Sequence, residues 1–136
     1  MNASIQNYSA TSGRVLLGLL FLFSGVGKLA APAATKGYIA AMGVPFVDLA
    51  FLGALVVELG FAAALVLGYR VRLVAAMMAA FTLVTALIFH NQLGDQNQMI
   101  HFLKNIAIVG GLLQVVAFGA GAFSLDARRA HRTALA

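Results

Sequence analysis

The sequence predicts an all-α integral membrane protein, an antiparallel four-helix bundle, on three observations. The first is composition. Hydrophobic residues make up 62% of the 136 residues and charged residues 10%. Soluble domains carry about 45–50% apolar and about 25% charged residues. A chain with so little charge cannot cover a water-exposed surface, and one so apolar does not stay disordered. The second is the presence of four apolar runs, each close to the roughly 20 residues that cross a hydrocarbon core. The third is the absence of strand-like alternation in those runs, which points to helices because a helix satisfies its own backbone in lipid.

The chain is short enough for one domain, and its spans are expected at about 14–33, 47–68, 72–91 and 102–124. The first run follows a polar segment, Met1 to Gly13, that holds neither Lys nor Arg. It resembles a signal peptide only superficially, because three more spans follow, and it reads as a retained helix. The connection from Pro32 to Pro45 is long, and its middle, TKGYIAAMG, suits a short interfacial helix before the Gly43-Val44-Pro45 break. The second run carries Asp48 near its start and Glu58 in its middle. Tyr69 to Arg72 is a tight polar turn, which makes the second and third spans an antiparallel hairpin. Asn91 to Ile100 forms a polar loop before the fourth span, and the tail from Asp126 is basic and expected to fray.

Net charge is +5, and in a membrane chain such an excess sets orientation more than it signals nucleic acid. Six arginines (14, 70, 72, 128, 129 and 132) fall on one side of the spans, and Lys28, Lys36 and Lys104 on the other. That division places both termini in the cytoplasm. Small residues such as Gly18, Gly25, Gly27, Gly60, Ala107 and Gly111 suit close helix contacts. Gln114 is expected to bond between helices. The chain has no cysteine, which excludes disulfides, thiolate metal sites, iron–sulfur clusters and a thiol nucleophile in this subunit.

The informative residues are the ionisable ones inside the spans. A carboxylate at the depth of Glu58 is costly and faces the protein interior, neutral or paired. Lys28 is its natural partner. Lys28 lies about 21 Å beyond Arg14, and Glu58 about 15 Å before Gly68, at the rise of an α-helix. The remaining difference in depth is within reach of a lysine side chain. A pair that only fixes packing is the plain reading, and a pair that handles a ligand or protons is the functional one. A second group, His90, His101, Lys104 and Asn105, gathers near the outer ends of spans three and four. Lys104 can simply reach the interface. Two histidines with an amide at the end of a bundle also suit a polar head group or a quinone carbonyl. Both histidines lie at the rim, eleven residues apart in sequence, which is unsuited to axial haem ligation. Asp95 is the single carboxylate in their loop, which makes a poor metal site, and no nucleophile motif is present.

Taken together, these residues resemble the DoxX family of small four-span membrane proteins. GRVLLGLLFLFSGVGKL (Gly13 to Leu29) is similar to its first helix. The Gly43-Val44-Pro45 break, Glu58-Leu59-Gly60 and Leu67-Gly68 are similar to its second-helix pattern, and HFLKNIAIVGGLL (His101 to Leu113) to its fourth. The likeness runs from Gly13 to about Phe123, with Gly60-Phe61 standing where the family often has paired glycines. The resemblance implies a four-helix bundle in a prokaryotic inner membrane. It also implies kinship with membrane oxidoreductases, among them a thiosulfate:quinone oxidoreductase, and with complexes that handle thiol and oxidative stress.

Two functions follow as expectations. One is a subunit of a quinone-linked membrane oxidoreductase. Glu58 and Lys28 would be its catalytic proton donors, and His90, His101, Lys104 and Asn105 its ligand-binding residues, with Phe21, Phe89 and Phe102 as apolar wall. Quinone is then the candidate ligand, and electrons come from a soluble or membrane-bound redox partner or from a substrate. The other is a non-enzymatic membrane anchor or scaffold for a partner, or a small-solute transporter. The lipid bilayer is the partner in both; a homo-oligomer fits either, and nucleic acid fits neither.

Overall fold

The computed structural model describes residues 2–135, whose regular structure is all helical with no strand among the described residues. The elements are α1 (Ala3–Ala30), α2 (Pro32–Ala41), α3 (Val47–Leu55), α4 (Ala62–Leu67), α5 (Val71–Phe89), α6 (Gln96–Phe118) and α7 (Leu125–Ala134). A π-helical turn, Val56–Phe61, joins α3 to α4 into one continuous helix. Four helices are long and apolar enough to cross a membrane: Ala3–Ala30, Val47–Leu67, Val71–Phe89 and Gln96–Phe118. The all-α membrane bundle expected from the sequence is what the chain forms. Large apolar side chains on the outer faces, Phe23 at 83% and Leu16 at 68% exposure, mark the lipid-facing surface.

The four long helices pack in a ring. α1 lies against the α3–α4 helix and against α6, α4 against α5, and α5 against α6 in the most extensive pairing. Gly18 permits the first of these contacts, since a methyl there would meet Val66 and stand 3.2 Å from the Ala62 carbonyl oxygen. Gly111 faces Leu17, but a methyl there would make ordinary contact at 3.5 Å, so this glycine is not required for the approach. Gly27 and Gly60 face open space, and Ala107 is exposed, so these small residues do not serve contacts within the chain. Gln114 is exposed on the outer face of α6 rather than placed between helices.

The bundle is unequal along its length. At the end holding Gly68 it is dense, with Leu65, Val71, Ala75, Met78 and Leu112 almost fully buried. Arg14 belongs to this dense end. Its guanidinium is 1% exposed and donates to the carbonyl oxygens of Leu65 at 3.2 Å and Phe123 at 2.8 Å. The sequence reading treats Arg14 as the start of the first span. The helix in fact begins at Ala3, and Arg14 ties three segments together from inside. The tail also departs from expectation, forming α7 rather than fraying. The Ser124 hydroxyl accepts from Ala127 N–H at 3.1 Å, which caps the helix. The segment after the first span is helical as anticipated, with Pro32 in the first turn of α2, where its missing N–H costs nothing.

Candidate functional site

Away from the dense end the helices separate around a cavity of about 810 Å³. Leu20, Phe21, Val57, Phe81, Ile88 and Phe89 supply much of its wall, so the cavity is mainly apolar. Its polar groups include Ser24 and Lys28 from α1, Glu58 from the π-helical turn, Thr82 and Thr85 from α5, and Asn105 from α6, with further ones from α2 and the end of α5. Phe21 and Phe89 line the wall as the sequence suggests, whereas Phe102 is not among the lining residues.

Lys28 and Glu58 meet directly. The Lys28 ammonium stands 2.8 Å from Glu58 Oε2 and donates to Oε1 at 2.9 Å. It also donates to the Ser24 hydroxyl at 2.9 Å, one helical turn back. The Glu58 side chain is 7% exposed and that of Lys28 26%, so the cation is the more open member of the pair. Gly25 makes the approach possible. A methyl on Gly25 would stand 2.7 Å from Leu59 Cδ2 and 3.1 Å from Glu58 Cβ. The local backbone around Glu58 is unusual in its own right. The π-helical turn widens the helix at that residue, a departure that costs hydrogen-bond quality and recurs at functional sites.

Thr82 and Thr85 return their hydroxyl protons to their own helix, donating to the Met78 and Phe81 carbonyls at 2.7 and 2.8 Å. Their oxygens keep acceptor capacity toward the cavity. The donors that a ligand meets there are the Lys28 ammonium, the Asn105 amide and the Tyr38 hydroxyl.

At the rim the two histidines stack, with ring centroids 5.1 Å apart and planes 20° from parallel. His90 lines the cavity, while His101 is not part of its lining and reaches it only through the His90 ring on which it stacks. The Nδ1 of His90 lies 2.9 Å from Gln98 Oε1. A carboxamide oxygen only accepts, so Nδ1 donates and Nε2 of the neutral ring is left as an acceptor. Lys104 is exposed and takes no part in the cavity. Of the four rim residues singled out from sequence, His90 and Asn105 face the cavity directly.

Sequence reasoning missed Tyr38 and Thr35, which α2 contributes to the lining. The Tyr38 ring packs on Phe89 with centroids 5.4 Å apart, bringing α2 against the end of α5. The signal available was an aromatic residue within a short helix between two prolines. Among the described residues, no three His, Asp or Glu side chains gather closely enough to hold a metal ion.

Comparison with known proteins agrees with this architecture. The sequence model of the DoxX family matches residues 9–91. The chain is 34% identical over 122 residues to inner membrane protein YqjF of Escherichia coli strain K12, covering 90% of this chain and 92% of the relative. It is 37% identical over 120 residues to inner membrane protein YphA of the same organism, covering 85% and 86%. No solved structure matches it.

Proposed function

Because the chain belongs to the DoxX family, we propose that it works as a quinone-linked subunit of a membrane oxidoreductase, with the quinone ring in the cavity beside Lys28 and Glu58. The observation that carries this reading is an ion pair, with its carboxylate side chain 7% exposed, that lines a mainly apolar cavity of about 810 Å³. A quinone has an apolar body and two carbonyl acceptors, so it needs much apolar wall and few donors. Lys28 and Asn105 are the donors suited to its carbonyls. Reduction to the quinol consumes two electrons and two protons. In this reading Lys28 and Glu58, hydrogen-bonded to each other, relay the protons, and His90 Nε2 accepts from a quinol hydroxyl. The electrons come from a redox partner or directly from a substrate, since the chain has no cysteine to hold an iron–sulfur cluster or a dithiol.

The test is a ligand-induced thermal shift of the purified protein with ubiquinone and menaquinone analogues. Wild type is expected to rise in melting temperature, since a ligand that binds only the folded state stabilises it. Asn105→Ala should weaken quinone binding by about 0.5–1.5 kcal/mol, the worth of a neutral hydrogen bond, while His90→Ala should weaken binding of the quinol and leave that of the quinone nearly unchanged. Glu58→Gln keeps the shape and removes the carboxylate, so it should lower turnover more than binding. No shift with any quinone at saturation would favour the anchoring or solute-transport reading.

The proposal extends to placement in a bacterial inner membrane with both termini in the cytoplasm, and with it the end bearing Arg14, Arg70, Arg72 and α7. Alkaline phosphatase fused after Ala136 should then be inactive, and fused within Gly94 to Asn97 active. The reverse pattern would put the histidine rim on the cytoplasmic side.

A further inference from the structure

The dense end of the bundle carries a second feature, independent of the cavity. The protein has nine Lys and Arg residues against four Asp and Glu. Two ion pairs form among the described residues, Lys28 with Glu58 and Lys36 with Asp48. Both use lysine. No arginine is paired with a carboxylate among the described residues, and five of the six arginines lie at or beyond the turn that starts α5.

α7 concentrates this charge. Its single acid, Asp126, is turned inward. The carboxylate accepts from Arg70 N–H at 2.8 Å through Oδ1 and from Val71 N–H at 2.9 Å through Oδ2, capping the start of α5. Arg70 sits there in the left-handed region, at φ 45°, where few side chains rest comfortably. The Asp126 N–H donates to the Gly68 carbonyl at 2.9 Å, and Arg14 holds the Phe123 carbonyl just before the helix. The first turn of α7 is thus fixed to the bundle, and the charge left on its outer side is positive.

The spacing of Arg128, Arg129 and Arg132 places them on one face of α7, and all three are exposed. Tyr69 joins them to the bundle. The Arg129 guanidinium lies 4.7 Å from its ring centroid and that of Arg70 5.8 Å. Two planar cations are therefore held around one aromatic ring, next to the ends of lipid-facing helices. Tyrosine is favoured at that level of a membrane, and guanidinium forks match phosphate oxygens.

We propose that Tyr69, Arg70 and the arginine face of α7 form a binding site for the phosphodiester head group of an anionic phospholipid. Complementarity of charge selects the occupant. Among the described residues the site offers several unpaired guanidiniums and no free carboxylate, and it borders the acyl chains of the same leaflet. α7 is the element that presents these charges, and Asp126 holds it in position.

The experiment uses the full chain purified in detergent. Phosphatidylglycerol or phosphatidylcholine is added, and bound lipid is counted by native mass spectrometry alongside the melting temperature. Wild type should retain phosphatidylglycerol over phosphatidylcholine and be stabilised by it, with the preference fading as salt rises. The triple variant Arg128→Gln/Arg129→Gln/Arg132→Gln should lose at least about tenfold in phosphatidylglycerol affinity, given the attraction of each basic residue to an anionic surface. Its melting temperature in phosphatidylcholine should match that of wild type, because the three side chains are exposed. Should that variant unfold, Arg129→Lys is the alternative: it keeps the charge, loses the fork, and should weaken the preference while folding normally. Equal retention of both lipids by wild type, or undiminished preference in a folded variant, overturns the proposal. So does an equal stabilisation of wild type by inorganic phosphate at the same concentration, which would assign the arginines to a soluble anion.

Discussion

Replacing Lys28 with methionine should destabilise the bundle by about 3 kcal/mol, and replacing Glu58 with glutamine at the same time should restore much of the loss. The sign follows from the geometry. Glu58 is 5% exposed and has the Lys28 ammonium against both of its oxygens. Methionine removes that cation and leaves a buried carboxylate with nothing beside it. Glu58→Gln alone should cost less, because Lys28 is about one quarter exposed and keeps the Ser24 hydroxyl. Melting temperatures in detergent for the two single variants and the double variant form a complete cycle. Losses that simply add would mean that the two side chains do not act as a pair, and the reading of the cavity would lose its polar floor.

Gly68→Val should be comparably severe, on the order of 3–5 kcal/mol, for two reasons that act together. Gly68 has φ 74° and ψ 38°, a left-handed conformation that a β-branched residue avoids. A side chain there would also meet the Arg14 guanidinium and stand 2.9 Å from Ser124 Cα. Arg14 would have to leave the Leu65 and Phe123 carbonyls, and a buried cation on α1 would lose its acceptors. The variant should melt well below wild type, and its α7 should become more sensitive to trypsin, because the Gly68 carbonyl also receives the Asp126 N–H. A wild-type melting temperature with an intact tail would show that the dense end does not depend on this turn.

These two sites also show where the sequence speaks and where it is silent. The spans are legible because lipid demands long apolar runs, and the Lys28–Glu58 pair because rise per residue converts sequence position into depth. The burial of Arg14 is not legible. Its two carbonyl partners are 51 and 109 residues away, and no local pattern encodes them. The order in α7 depends likewise on Asp126 reaching the backbone of another helix, 55 and 56 residues earlier. The polar segment before Arg14 lies outside the first apolar run, yet it belongs to the same helix. The rim divides for a similar reason. The fourfold spacing of His101 and Asn105 puts them on one face of α6, but the sequence does not say that Gln98 and His101 hold the His90 ring between them. Nor does it announce the π-helical turn at Glu58, which has no residue signature.

The central claim, that the cavity beside Lys28 and Glu58 receives a quinone, is tested most directly by photolabelling. The purified protein is irradiated with an azido-ubiquinone analogue, and the modified residues are mapped by peptide mass spectrometry. The account predicts label on cavity-lining residues of α1, the α3–α4 helix and α5, among them Ser24, Val57 and Thr85, with the label displaced by excess ubiquinone. Label confined to outward-facing residues such as Leu16 and Phe23, and not displaced by competitor, would contradict it.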